Sequence, residues 1–230
     1  MGEGEARFSR ENLLAPPEEK AAAAMHKAWA RTDLARYLTR WPEASVPPVP
    51  EVFWSYAWRA VDLGCGFGRH LIEQSGRHPE RGYLGIDKGH LRGGGMVQRF
   101  RAAGRPNLFG LHGNAIPILA AMPAASLDQV TIFYPNPWWP AKHRKKRWSH
   151  HPLLPHLTAL LKPGGCIVLT SNEAFYLREW IYALTHHPAV TGMALVEAGP
   201  IRRDAGRTHF ETKFLAEGTP IGEVRFVRSS

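Results

Sequence analysis

Residues 62–68 have the types and spacing of a cofactor-binding turn. They read Asp-Leu-Gly-Cys-Gly-Phe-Gly. The three glycines stand at alternate positions: Gly64, Gly66 and Gly68. Glycine tolerates positive φ and lets the backbone come close to a ligand with no Cβ in the way. The apolar Ala60 and Val61 indicate a strand before the turn, and residues 69–73 indicate a helix whose free N–H groups face the ligand.

The position of the third glycine separates this turn from a dinucleotide-binding fingerprint. That fingerprint spaces its glycines as G-x-G-x-x-G, whereas Gly68 comes one residue earlier. The shorter spacing is typical of S-adenosylmethionine (SAM) sites. The other interpretation is a glycine-rich surface turn. Because a strand precedes the turn and a helix follows it, we expect a SAM site.

Two polar residues end the next two apolar segments. Asp87 closes Tyr-Leu-Gly-Ile-Asp, near the place where doubly wound sheets carry an acid that accepts the ribose hydroxyls, about 20 residues past the glycine turn. Asn114 closes Asn-Leu-Phe-Gly-Leu-His-Gly-Asn and is a candidate to hydrogen-bond an adenine edge. Asparagine is also a common turn former, so a structural role for Asn114 stays open.

A strongly basic segment points to an anionic partner. The chain has a net charge of +9 and a pI near 9.9. Five fixed cations and one histidine occupy six consecutive positions: Lys142, His143, Arg144, Lys145, Lys146 and Arg147. Trp138, Trp139 and Trp148 flank this run. A solvated charged loop is one interpretation, but cations beside aromatic rings also suit phosphates and unstacked bases, so we expect RNA contact.

Length and composition favour one α/β domain. The 230 residues are 44% hydrophobic, enough for one core, and contain no apolar run of 18 residues. The acidic N-terminus lacks the order of a signal peptide, so we expect a soluble, cytoplasmic protein without a membrane segment. Cys65 and Cys166 offer no disulfide framework, and the histidines and cysteines show no ligand spacing, so no metal site is expected.

Apolar runs alternate with helical patterns after residue 50, which predicts a doubly wound, mostly parallel sheet covered on both faces. The predicted strands are 58–63, 82–87, 107–112, 128–134 and 165–170, with an antiparallel pair near 193–199 and 223–228. Pro163, Gly164 and Gly165 indicate a tight turn from a helix into a strand.

Residues 1–50 are expected to form an N-terminal extension to a main domain of residues 51–230. Residues 1–16 are polar and mixed, which predicts disorder. A helix is predicted over residues 21–41, since apolar residues recur there mainly at three- and four-residue intervals: Met25, Trp29, Leu34, Tyr37, Leu38 and Trp41. We expect this stripe to pack on the core, and the arginines of the helix are candidates to face RNA.

Four motifs together carry a resemblance to a known family. They are the glycine turn, Leu-Gly-Ile-Asp87, Tyr134-Pro-Asn-Pro-Trp-Trp-Pro-Ala-Lys-His-Arg-Lys-Lys-Arg147 and Thr208-His-Phe-Glu211. In this order, over about residues 58–227, they resemble bacterial tRNA (guanine-N7-)-methyltransferases. The last two of these motifs are distinctive, whereas many methyltransferases share the glycine turn. The resemblance implies a Rossmann-like class I SAM-dependent methyltransferase fold, S-adenosyl-L-methionine as cofactor and tRNA as partner.

The resemblance also implies roles for individual residues. The SAM pocket would include four polar side chains: Asp62, Asp87, Asn114 and Asn136. Asn136 would also be the catalytic residue. The tRNA guanosine would meet residues 142–147 and three others: Asn172, Thr208 and Glu211. The family has aspartates where this chain has Asn136 and Asn172, and a lysine where it has Pro140, so the chain is a divergent member.

Guanine N7 carries a lone pair and no proton, so methylation there needs no general base, and positioning supplies most of the catalysis. A carboxylate would accept from both N1–H and the 2-amino group, whereas Asn136 has one acceptor oxygen. Two alternatives stay open. Residues 136–138, Asn-Pro-Trp, resemble the Asn-Pro-Pro-aromatic loop of exocyclic-amine methyltransferases. The lost acids and lysine also allow a non-catalytic SAM- or RNA-binding protein.

Overall fold

A single mixed sheet forms the centre of the protein. The computed structural model describes residues 3–31, 33–41 and 46–229, without the Glu3 side chain. In chain order the strands are β1 Trp58–Leu63, β2 Arg81–Asp87, β3 Leu108–His112, β4 Leu127–Phe133, β5 Leu161–Ser171, β6 Met193–Pro200 and β7 Gly222–Arg228. Their spatial order is β3-β2-β1-β4-β5-β7-β6.

Strand directions confirm the doubly wound fold. Strands β1 to β5 pair in parallel, and β7 pairs antiparallel with both β5 and β6. Residues 82–87 of β2 are buried in succession, as expected of a parallel strand with both faces covered. The spatial order reverses between β1 and β4, which places a crevice at their carboxyl ends.

Helices pack against the sheet, and the first five of the described helices precede β1 in the chain. In the described part of the chain they are α1 Glu3–Ala6, α2 Arg10–Leu14, α3 Glu19–Arg31, α4 Leu34–Leu38, α5 Glu51–Trp54, α6 Arg69–Arg77, α7 His90–Ala103, α8 Ala115–Ala120, α9 Leu154–Ala159, α10 Ala174–His186 and α11 His209–Ala216. The basic run forms two short 3-10 helices, Ala141–Lys146 and Trp148–His150. Helices α6 and α7 contact β2 and β3, and α10 contacts β5 and β7.

The N-terminal segment is ordered, which corrects the prediction of disorder for residues 1–16 wherever the structure describes them; Met1 and Gly2 lie outside. Phe8 and Leu13 are fully buried and belong to the main core. A Cβ at Gly222 would lie 2.2 Å from Phe8 Cδ1, so the glycine in β7 makes room for the phenylalanine ring. These two apolar side chains attach the polar segment to the core. The division at residue 50 stays a prediction.

The helix predicted over residues 21–41 is instead two helices, α3 and α4. Asp33 caps the start of α4, since its Oδ1 accepts a hydrogen bond from Ala35 N at 2.9 Å. Thr32, which the predicted helix includes, lies outside the described residues. Met25 and Trp29 are buried in the core as predicted.

The predicted Pro-Gly-Gly turn is also different in the structure. Leu127 pairs with Leu161 and Gln129 with Cys166, so residues 162–165 bulge out of β5 rather than preceding it. Gly164 has a φ of 79°, a conformation that glycine adopts without strain.

Among the described residues no helix has the length and apolarity needed to cross a lipid bilayer.

Candidate active site

A cleft of about 1550 Å³ opens at the carboxyl ends of the central strands. Residues that follow β1, β2, β3 and β4 line it, as do residues of the basic run and of the N-terminal helices. Carboxyl ends of parallel strands meet at one edge, and the reversal of strand order between β1 and β4 leaves that edge open. The volume exceeds the 300–1,000 Å³ typical of small-ligand pockets.

The three glycines of the turn serve two different purposes. All have left-handed φ angles: Gly64 74°, Gly66 61° and Gly68 73°. A Cβ on Gly64 or Gly66 would meet nothing within 4 Å, whereas a Cβ on Gly68 would lie 2.1 Å from Phe100 Cε1. Gly64 lines the cleft. The first two glycines therefore leave open space above the turn, and Gly68 lets α6 pack against α7.

Asp87 connects the glycine turn to the end of β2. Its Oδ2 accepts from Gly66 N at 2.9 Å, and its Oδ1 accepts from Gly89 N at 2.7 Å. The carboxylate lines the cleft although the residue is 8% exposed. A carboxylate has about four acceptor positions, so capacity remains for the hydroxyls of a ligand.

Asp62 lies beneath the turn rather than in the cleft wall. It is 2% exposed and pairs with Thr131 across β1 and β4. Burial raises the pKa of Asp62 to about 7, against the lowering effects of Thr131 and of the Arg207 charge. Asp62 is not among the residues that line the cleft, but its Oδ1 has no hydrogen-bond partner among the described residues, and its place in the SAM pocket stays a prediction.

Asn114 lines the cleft and caps α8. Its Oδ1 accepts from Ile116 N at 3.1 Å. The structural role that the sequence left open is therefore real. The side-chain amide group remains available to donate to a ligand.

The loop after β4 presents Asn136 and Trp138 to the cleft. Asn136 is exposed, and its Oδ1 accepts from Trp138 N at 2.9 Å. Tyr134 and Trp138 have left-handed φ angles of 52° and 45°, a conformation that costs free energy in residues other than glycine and is found mostly at functional sites. Burial and the Glu211 charge raise the pKa of Tyr134.

The basic run divides into four residues that line the cleft, the half-buried His143, which does not, and the buried Arg147. Four members line the cleft: Lys142, Arg144, Lys145 and Lys146. Lys146 Nζ lies 4.4 Å from the centre of the Trp138 ring, and the His143 ring packs edge-on against the same tryptophan at 5.9 Å. The ring and the two side chains form one continuous surface.

Arg147 is the buried member of the run and does not line the cleft, and its predicted tRNA contact stays a prediction. The residue is 3% exposed and forms an ion pair with Glu179. Its guanidinium also donates to Pro137 O at 2.6 Å and to Trp138 O at 3.2 Å. All of its directed contacts go to the protein, so Arg147 holds the loop that carries Trp138.

Three other predicted tRNA contacts do not reach the cleft. Asn172 Nδ2 donates to Glu173 Oε1 at 3.0 Å. Thr208 caps α11 by accepting from Glu211 N at 3.1 Å. Glu211 is 0% exposed, and both of its carboxylate oxygens accept from Arg207. Arg207 holds the pKa of Glu211 below its ordinary value, although burial alone would raise it.

The part of the chain that the structure describes contains no group of three or more His, Cys, Asp or Glu side chains able to hold a metal ion.

A model of the family described as "Putative methyltransferase" matches residues 57–224. The chain belongs to this methyltransferase family. The methyltransferase is 29% identical over 223 residues to the tRNA (guanine-N(7)-)-methyltransferase of Nitrosococcus oceani, covering 96% of this chain and 89% of the relative. It is 30% identical over 174 residues to the enzyme of the same name from Roseobacter denitrificans, covering 73% of this chain and 72% of the relative.

Solved structures support the fold of the methyltransferase. The 16S rRNA methyltransferase KamB superposes with a TM-score of 0.56 at 17% identity, covering 83% of this chain and 95% of that one. A mutant of the 16S rRNA (adenine(1408)-N(1))-methyltransferase from Catenulisporales acidiphilia gives 0.54 at 18% identity, covering 86% and 92%. At such identities the likeness establishes the class I methyltransferase fold alone.

The methyltransferase builds one wall of its cleft from the N-terminal helices. Arg31, Arg40, Lys27 and Tyr37 line it, and that the arginines face RNA stays a prediction. Trp29 Nε1 donates to Ser149 O at 3.0 Å, which attaches α3 to the end of the basic run. The helical spacing of Lys27 and Arg31 was a usable signal for a shared face, but what that face meets depends on tertiary packing.

The charge of the cleft is strongly one-sided. Among the lining residues, nine side chains are fixed cations: Lys27, Arg31, Arg40, Lys88, Arg92, Lys142, Arg144, Lys145 and Lys146. Asp87 is the one carboxylate among the described residues that line the cleft. A cleft lined by one sign of charge attracts ligands of the opposite sign, here a polyanion.

Proposed function

We propose that this protein is a SAM-dependent methyltransferase that acts on guanine N7 in tRNA. The curated relatives from Nitrosococcus oceani and Roseobacter denitrificans carry that name, and this chain matches them over most of their length. The observation that carries the proposal is the cleft itself, in which the open glycine turn and Asp87 face the same space as nine cations. A small ligand site and a polyanion site therefore adjoin.

The residues at the strand ends fit SAM. Gly64 and Gly66 leave open space where a side chain would stand. Asp87 has acceptor capacity for ribose hydroxyls, and Asn114 has a free amide donor for an adenine edge. When bound, SAM supplies a methyl group on a positively charged sulfur, which is electrophilic enough for a neutral nitrogen to attack.

This chain needs to supply position rather than proton transfer. Guanine N7 has no proton to lose, so no general base is required. Holding the reacting groups in near-attack geometry lowers a barrier by about 7 to 11 kcal/mol. Trp138 offers a stacking surface in the cleft, and the exposed Asn136 lies beside it, within reach of the edge of a stacked base. We assign the target base to this loop.

The cations lining the cleft account for tRNA as the substrate. A-form helices have a major groove too narrow for side chains, so N7 of a paired guanine is hidden, and the base must lie in a loop or swing outward. The basic run on one wall and α3 with α4 on the other can hold the phosphates on both sides of such a base. A cytoplasmic location fits this substrate and is part of the proposal.

Methylation of an exocyclic amine is the second candidate, favoured by the Asn-Pro-Trp sequence of the loop. It would require Asn136 Oδ1 to accept an amine hydrogen. That oxygen already accepts from Trp138 N at 2.9 Å, so one of its two lone pairs is used. The structure therefore gives this candidate less support than N7.

A labelling assay separates the candidates. The protein is incubated with methyl-labelled SAM and tRNA transcribed without modifications, and the tRNA is digested and analysed by mass spectrometry. We expect 7-methylguanosine. An N-methylated amine would favour the second candidate, and SAM binding without transfer would indicate a non-catalytic protein. Asp87→Ala, purified in parallel, should show no transfer, which excludes a contaminating activity. If calorimetry detects no SAM binding to the unaltered protein, the proposal is wrong.

A further inference from the structure

A second pocket of about 210 Å³ lies behind the basic run, outside the cleft. Trp139 and Phe175 form its aromatic side, Arg144 and Arg178 its basic side, and Pro17 and Glu18 its rim at the start of α3. Its volume is below the 300–1,000 Å³ of small-ligand pockets. The size suits one planar ring system rather than a whole cofactor.

The two adjacent tryptophans point into different pockets. Trp138 lines the cleft, whereas Trp139 lines the second pocket. The left-handed φ of 45° at Trp138 turns the backbone between them. Trp139 is 60% exposed, and its ring lies 4.7 Å from that of Phe175. An exposed indole with one side against another ring offers its remaining surface for stacking.

The arginines of the pocket have unused hydrogen-bonding capacity. The Nε atoms of Arg144 and Arg178 are buried and have no hydrogen-bond partner, and neither residue forms an ion pair among the described residues. Arg147 and Glu179, which also line the pocket, neutralise each other. These Nε atoms are shielded from solvent, so the donors that a ligand can reach are the terminal guanidinium nitrogens, for which no hydrogen bond is present among the described residues either.

We infer that this pocket binds a second nucleotide of the RNA substrate, next to the base held in the cleft. The base stacks on Trp139, and its phosphate accepts from Arg144 and Arg178. Arg144 lines both the cleft and the pocket, so one phosphate at this arginine joins the two positions.

Glu18 adds a preference for the kind of base. It is exposed at the rim and bears a carboxylate, which accepts but does not donate. It would repel a phosphate and bond to N–H groups on the edge of a base. A base with an exocyclic amine, that is guanine, adenine or cytosine, fits better than uracil, whose edge offers one N–H donor and no amine.

The inference rests on the proposed function, in which RNA is the substrate. Its test distinguishes failure of the second nucleotide site from failure of that function. The dissociation constant for unmodified tRNA is measured for the unaltered protein and for Trp139→Ala, Trp139→Leu and Trp139→Phe. Loss of one stacking partner weakens binding by about 5- to 150-fold. We expect such a loss in Trp139→Ala and in Trp139→Leu, which keeps bulk but has no ring, and near-normal binding in Trp139→Phe. SAM binding, measured by calorimetry, should be unchanged in all three.

A charge variant with a matched control completes the test. Arg178→Gln should weaken tRNA binding and lower its salt dependence by about one unit. Arg77→Gln, an exposed arginine on α6 away from both pockets, should change neither. If the unaltered protein binds and methylates tRNA while the alanine and leucine variants bind equally well, the second nucleotide site is wrong. If the unaltered protein neither binds nor methylates tRNA, the function proposed above is itself wrong.

Discussion

Arg147 and Glu179 form a buried ion pair that attaches the end of the basic run to helix α10. Their side chains are 4% and 2% exposed. Ser149 Oγ also donates to Glu179 at 3.1 Å, so the carboxylate is bonded on both oxygens. A residue inside a cluster of surface cations therefore belongs to the core.

Removing the charge of Arg147 should destabilise the protein. Arg147→Gln leaves the Glu179 carboxylate buried without its partner, which typically costs about 3 to 5 kcal/mol. Urea unfolding measures the change. Lys145→Gln, at an exposed position of the same run, should alter the free energy of unfolding by less than about 0.5 kcal/mol. Equal stabilities of the two variants would contradict the structural role of Arg147.

The exposed lysines of the run should act on binding alone. The double variant Lys145→Gln, Lys146→Gln removes two phosphate contacts, so the slope of log affinity for tRNA against log salt concentration should fall by about 2 units. SAM affinity should stay the same. The control is Arg77→Gln, Arg101→Gln, which removes the same charge from α6 and α7 outside the cleft. A similar loss in both pairs would indicate a general charge effect.

Asn136→Asp should raise the rate of methylation at guanine N7. One carboxylate oxygen can keep the bond from Trp138 N, and the other gains a charge-assisted bond to the base. A hydrogen bond to a charged group contributes about 1.5 to 3 kcal/mol, equivalent to about 10- to 150-fold in rate. Single-turnover transfer to unmodified tRNA gives the rate. Asn172→Asp, outside the cleft, should have little effect. An unchanged or lower rate in Asn136→Asp would argue against N7 chemistry.

His151 should make stability fall at acid pH. Burial lowers its pKa to about 4, and Nδ1 accepts from Leu153 N at 3.1 Å, which leaves no lone pair for a second proton. The unfolded chain binds that proton near pH 6.5. Stability from this group is therefore full above pH 6.5 and is lost as the pH falls toward 4, by about 2 kcal/mol at pH 5.

To test this, the pH dependence of the free energy of unfolding is compared between the unaltered protein and His151→Gln. Glutamine can accept from Leu153 N but does not titrate. The variant should lose less stability than the unaltered protein between pH 7 and pH 5. His70, whose pKa burial also lowers to about 4, is present in both proteins and cancels in the comparison. Parallel curves would rule out a contribution from His151.

Local sequence patterns predicted what depends on neighbours along the chain. The strands were found because apolar runs and turns are local, and Gly64, Asp87 and Asn136 came together because strand ends of a doubly wound sheet share one edge. The sequence did not show which charged side chains pair with each other. Nothing near Arg147 indicates that it pairs with Glu179, which lies 32 residues away. Arg207 stands four residues before Glu211, a spacing that allows an ion pair, but the motif alone did not reveal it.

The N-terminal residues show the same limit. Phe8 lies in a polar segment whose composition predicts disorder, yet it packs against Gly222, more than 200 residues away in the sequence. Likewise, Trp138 and Trp139 are adjacent residues of the same type, so the sequence does not distinguish them. The backbone angle at Trp138 directs the two side chains into different pockets. Contacts of this kind require the whole fold.

The place of β7 between β5 and β6 has a consequence for biosynthesis. While the chain is being made, β5 and β6 leave the ribosome before the strand that joins them. Until residues 222–228 emerge, the β5 edge exposes unpaired N–H and C=O groups, and the Phe8 ring lacks the surface against which it packs. An exposed edge of this kind favours association between nascent chains. Pairing of residues 222–228 with β5 and β6 is thus the step that covers this edge.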